Sequence, residues 1–71
     1  MNKQLIKDII KAGNQAIKVS SIKYTIYTKH DCYYVYDEVY YNDIYIHFID
    51  DYDNDIVLCY NKITGIKVSK I

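Results

Sequence analysis

The hydrophobic period of this chain changes once, near residue 14, and does not change back. Before that point Leu5, Ile6, Ile9 and Ile10 recur at the three- and four-residue spacing of a single helical face, while Lys3, Lys7 and Lys11 line the opposite one. Asn2 is suited to cap the N-terminus, Gly13-Asn14 offers a left-handed stop, and Lys11 in the last turn complements the helix dipole. The spacing predicts a helix over residues 3–13. After it the apolar residues alternate with a period of two, so the remainder must be strand and turn.

Candidate strands cover residues 15–29, 32–40, 43–49, 55–61 and 65–70. The first holds Ile17 and Val19 on one phase and Ile22, Tyr24, Ile26 and Thr28 on the other, which predicts a bulge or tight turn at Ser20-Ser21. Lys29-His30-Asp31, Asn42-Asp43, the polar run from Asp50 to Asp55, and Asn61-Lys62-Ile63-Thr64-Gly65 supply the connections. The last of these reads as a hairpin loop with Gly65 at a position of positive φ. Connections this short join antiparallel neighbours, because a parallel crossover needs about a dozen residues or more. The expected fold is α+β: an N-terminal helix packed on one face of a four- or five-stranded antiparallel meander, as a single domain over residues 1–71.

One short helix covers only one face of such a sheet. The covered phase is Ile22, Tyr24, Ile26, Ile44, Ile46, Phe48, Ile56, Leu58, Ile66 and Val68. The opposite phase holds Tyr27, Tyr45, His47, Ile49, Val57 and Cys59, more apolar than a wetted face requires. Either the sheet curls on itself, or that face meets a partner, a second copy in a homodimer included.

At 71 residues there is room for one core, and an apolar fraction of 51% is enough to build it. No run of about 18 apolar residues is present, so no membrane helix is expected. The start, Met1-Asn2-Lys3-Gln4-Leu5, lacks the apolar stretch of a signal peptide, which points to the cytoplasm. All nine basic residues of the Lys/Arg class are lysines. Without a guanidinium fork, base-specific reading of DNA is disfavoured.

The net charge of zero hides a strong segregation. Residues 1–29 carry six lysines and a single carboxylate, Asp8; residues 56–71 carry three lysines and no carboxylate. Between them, residues 30–55 carry eight carboxylates and no lysine, together with seven of the ten tyrosines. Tyr34, Tyr36, Asp37, Glu38, Tyr40, Tyr41, Asp43, Tyr45, Asp50, Asp51, Asp53 and Asp55 are the candidate partner-binding residues. Carboxylates meet the cations of a groove that otherwise holds phosphates, and tyrosine supplies stiff contact area at low entropic cost. The expected partner is a host protein with a basic groove, such as a nucleic-acid-processing nuclease. Direct binding to nucleic acid is disfavoured, because these carboxylates repel phosphate. Two alternatives stand beside this one: a single-stranded nucleic-acid module that stacks bases on sheet tyrosines, and a small self-associating structural protein. The plainest account of the charges is cross-strand pairing of acidic with lysine-bearing strands.

Catalytic and metal chemistry finds little support. Asp51, Asp53 and Asp55 begin like a calcium loop, but Ile56 stands where glycine is required and Lys62 where glutamate is. His30, Cys32, His47 and Cys59 match no zinc spacing, and two cysteines suggest free thiols. Ser20, Ser21 and Ser69 lack a nucleophile motif, and two glycines leave no phosphate-cradling loop. A non-enzymatic protein without metal or cofactor is expected. In size, composition and charge layout the chain resembles the very small, acidic-patched proteins that phages and mobile elements use against host defence, anti-CRISPR proteins among them. The resemblance implies an inhibitor that occupies the nucleic-acid site of a defence nuclease, such as a CRISPR effector, in the host cytoplasm.

Overall fold

The computed structural model describes residues 1–71. Helix α1 (Lys3–Ala16) is followed by strands β1 (Ile22–Thr28), β2 (Cys32–Val35), β3 (Tyr40–Tyr41), β4 (Tyr45–Ile49) and β5 (Asp55–Cys59), a 3-10 turn (Tyr60–Lys62), and β6 (Ile63–Lys70). The fold is α+β with an N-terminal helix. Six strands form two antiparallel three-stranded sheets, ordered β2-β1-β6 and β3-β4-β5, in place of one meander of four or five.

Two departures of the chain split the sheet. The first follows β2, which stops at Val35. Val39 is buried, and its backbone is held on the helix: its N–H donates to Asn14 Oδ1 (3.1 Å) and its carbonyl accepts from Asn14 Nδ2 (2.9 Å). That docking leaves β3 only two residues with which to pair β4. The second is the 3-10 turn, where buried Tyr60 donates its hydroxyl to the Asn42 carbonyl at 2.5 Å. The chain then leaves β5, and β6 pairs with β1 along its length. No hairpin therefore spans Asn61–Gly65. Gly65 has no positive φ; it lies opposite Tyr27, whose ring would stand 3.3 Å from an added Cβ. The one positive φ belongs to Asp53, at 64°, in the β4–β5 loop.

Asn2 caps α1 as the sequence suggests, accepting from the Leu5 N–H at 2.9 Å. The expected stop at Gly13-Asn14 is a contact instead. Gly13 has no positive φ and the helix runs on to Ala16; its missing Cβ leaves room for the Tyr24 ring, since a Cβ there would fall 2.4 Å from the Tyr24 hydroxyl. That hydroxyl lies 2.7 Å from Asn14 Oδ1 and 3.0 Å from the Ile10 carbonyl. Burial raises its pKa well above that of an ordinary phenol, and Glu38 adds to the effect. No strand begins at residue 15, and Ser20-Ser21 ends the turn that enters β1; the irregularity in the ladder lies at Tyr27/Thr28, against β6.

One core serves the helix and both sheets. Ile6 and Ile10 of α1, Ile22, Tyr24 and Ile26 of β1, Ile46 and Phe48 of β4 and Ile66 of β6 belong to one buried cluster. The Tyr33 and Phe48 rings, one from each sheet, meet edge to face at 5.5 Å. The alternation is borne out for nine of the ten expected core residues, all buried or half-buried. Ile44 is 70% exposed, because Asn42 Oδ1 accepts from the Ile44 and Tyr45 N–H groups and fixes Ile44 at the tip of a turn. The helical stripe is narrower than its sequence suggests: Ile6 and Ile10 are fully buried, Ile9 is half-buried and Leu5 is exposed.

Candidate functional site

Strands β4 and β5 are five-residue runs in which every second side chain turns away from the core. The register places Tyr45 opposite Cys59, His47 between Val57 and Tyr40, and Ile49 opposite Asp55. These seven side chains occupy the outer face of the β3-β4-β5 sheet. Tyr40 (63%), Val57 (56%) and Ile49 (44%) are the most open of its apolar members. At the centre, the His47 ring lies 5.9 Å from that of Tyr40, and its Nε2 is hydrogen-bonded to the Asp55 carboxylate.

Not all the residues singled out from the sequence reach this face. Tyr40, Tyr45 and Asp55 do. Tyr41 points the other way, opposite Ile46. Tyr34 lies on the outer face of the other sheet, beneath the Lys23 ammonium, which sits 5.0 Å from its ring centroid. The neighbouring Cys32 thiol raises the Tyr34 hydroxyl pKa. Tyr36, Asp37 and Glu38 are exposed in the β2–β3 loop, and Asp51 and Asp53 in the β4–β5 loop. The Asp51 N–H donates to the Tyr34 carbonyl (3.0 Å), tying that loop to β2.

Two of the acidic candidates are structural. Lys7 Nζ stands 2.6 Å from Asp43 Oδ1, and Lys3 Nζ donates to the Asp43 carbonyl at 3.0 Å. The Lys7 ammonium holds the Asp43 carboxyl below the usual carboxylate range. Lys3 and Lys7 are thus not a free outer face of the helix; their long stems reach the β3–β4 turn beside it. Asp50 is buried and caps its own loop, accepting from the Tyr52 N–H (2.9 Å), the Asn54 N–H (2.8 Å) and Asn54 Nδ2 (3.3 Å). Burial pushes its pKa up, but the bonds from Asn54 and Tyr52 outweigh that push and hold it below the ordinary value.

The carboxylates are not neutralised by lysine-bearing strands. Lys7–Asp43 is the one lysine–carboxylate ion pair, and Asp55 contacts the His47 ring across β4 and β5. Asp31, Asp37, Glu38, Asp51 and Asp53 are exposed and lack a cationic partner. Cys32 and Cys59 are exposed free thiols on strands of different sheets, and no three of the His, Cys, Asp and Glu side chains converge on one point. No helix is long and apolar enough to cross a membrane.

His47, Ile49, Val57 and Cys59 belong to the site although charge segregation alone passes over them. Their strand phase was the signal that placed them on the uncovered side. A comparison with known protein families, curated proteins and solved structures finds no match. What the face does is therefore read from its own residues.

Proposed function

We propose that this protein acts without catalysis, by binding another protein through the outer face of β3-β4-β5 and the acidic loops of the same segment. The observation that carries this is the coexistence of an open Tyr40–Tyr45–Ile49–Val57 surface with four loop carboxylates, Asp37, Glu38, Asp51 and Asp53, that have no cation of their own. Tyrosines and branched side chains supply the desolvated centre of an interface, and unpaired charge supplies steering. The complementary partner is a protein with a basic groove. The nucleic-acid channel of a nuclease, a defence nuclease such as a CRISPR effector included, has that chemistry, and occupying it would inhibit the enzyme.

A competition measurement tests this. With such a nuclease immobilised, the protein and a DNA duplex should exclude one another. Reversing Asp37, Glu38, Asp51 and Asp53 to lysine should slow association without unfolding the protein, and added salt should mimic that effect as the Debye length falls from about 10 Å at 0.1 M to about 3 Å at 1 M. Simultaneous binding of DNA and the protein would rule the groove out. Exposed Val57 and Ile49 favour a second reading, pairing of this face between two copies. Sedimentation separates the two, since only the second makes mass depend on concentration.

A further inference from the structure

The molecule has one cleft, of about 630 Å³, and none of the partner-binding residues lines it. It opens where the β1–β2 turn, the 3-10 turn and the start of β6 come together. A cleft of this size falls within the usual range for small-molecule sites, about 300–1,000 Å³. Lys29 enters it from the β1–β2 turn and Lys62 from the 3-10 turn, and neither is ion-paired. Two ammonium groups against a single carboxylate, Asp31, leave the opening net cationic and favour an anion. Asp31 also lines the cleft. Its backbone closes the turn, its carbonyl accepting from the Thr28 N–H (2.9 Å) and its N–H donating to Thr28 Oγ1 (3.1 Å). Its carboxylate accepts no hydrogen bond within the protein, so a ligand that suits the whole site carries donors as well as negative charge. Leu58 and the half-buried Tyr33 ring, held edge to face with Phe48, are the apolar part of its lining.

We propose that this cleft binds a nucleoside phosphate: the phosphate between Lys29 and Lys62, the ribose hydroxyls donating to Asp31, and the base against Tyr33 and Leu58. Cationic, acceptor and flat apolar groups are the three recognitions that such a ligand needs, and free phosphate would use only the first. The site is independent of the partner-binding face.

Amide-resolved NMR titration with AMP, GMP, CMP and UMP, alongside adenosine and inorganic phosphate, tests the proposal. At least one nucleotide should shift the amides of residues 28–33 and 61–64, and should bind about tenfold or more tighter than inorganic phosphate or adenosine. The K29E/K62E variant should lose that binding while keeping the wild-type spectrum elsewhere and its affinity for the protein partner. Asp31→Asn should weaken the nucleotide but leave inorganic phosphate unchanged. Three results would each overturn it: no shifts in these amides at millimolar nucleotide, inorganic phosphate binding as tightly as every nucleotide, or shifts confined to the Tyr40–Tyr45 face.

Discussion

The two sheets share one core and one alternating pattern, yet their outer faces differ. On β2-β1-β6, Thr25 lies between Tyr34 and Lys67 in the ladder and is only 2% exposed, although it points away from the core. Tyr34, with the Lys23 ammonium over its ring, is part of the roof above it. On β3-β4-β5 no lysine stem crosses the strands, and Val57 and Ile49, which have no reach of their own, stay open. Tyrosine content does not separate the two faces; long cationic neighbours do. One face covers its central threonine, and the other leaves Val57 and Ile49 open.

The largest effect should come from the shared core. Ile10→Ala removes a fully buried side chain from the core that both sheets share, at a cost of about 2–5 kcal/mol, and Ile6→Ala should behave alike. Hydrogen exchange should show both sheets losing protection together. Loss of protection in only one sheet would mean that the two faces belong to separately stable units.

Next come the tyrosines, which should respond in opposite ways. Tyr40→Ala with Tyr45→Ala should cost about 2 kcal/mol or more in partner affinity, mostly through faster dissociation, and little in melting temperature. Tyr34→Ala should do the reverse, losing a cation–π contact of about 0.5–1 kcal/mol and uncovering Thr25 while leaving the partner bound. Equal effects of the two changes on affinity would erase the distinction between the faces.

Thr25 allows a finer test. Its Oγ1 is buried without a hydrogen-bond partner. Thr25→Val keeps the shape and removes the unmet hydroxyl, so the melting temperature should rise, by about 1 kcal/mol of stability. A fall would mean that the roof over Thr25 is open to water.

The smallest effect is electrostatic. Asp43 and Asp50 have folded pKa values below the ordinary 3.8, so the stability they confer is present above that value and lost as pH falls through the lower, folded one. Acid unfolding should shift accordingly, and Asp50→Asn, which keeps the loop's shape, should flatten the low-pH limb. An unchanged limb would show that the bonds from Tyr52 and Asn54 do not bias the carboxylate.

Most of the fold can be read in the sequence because period is a local property. The helix, its Asn2 cap and the inward phase of β1, β4, β5 and β6 follow from spacing alone. What spacing leaves out is which strand pairs with which. The split into two sheets depends on Asn14 catching the Val39 backbone and on Tyr60 reaching Asn42, contacts across 25 and 18 residues. Gly13 reads as a helix stop until Tyr24 is seen to need its space. The site divides in the same way. Tyr40, Tyr45 and Asp55 come together as strand phase suggests, whereas a carboxylate count cannot tell Asp43 and Asp50, which hold turns, from Asp51 and Asp53, which are free.

The proposed function requires the β3-β4-β5 face, and not its counterpart, to bind the partner. The most direct measurement is side-by-side capture from a lysate of the protein's native cell, with three baits: the wild-type protein, Tyr40→Ala/Val57→Asp, and Lys23→Ala/Lys67→Ala. A protein retained by the first and third baits and lost from the second is the predicted result. Retention by the second bait with loss from the third would contradict it and move the interface to the lysine-roofed sheet.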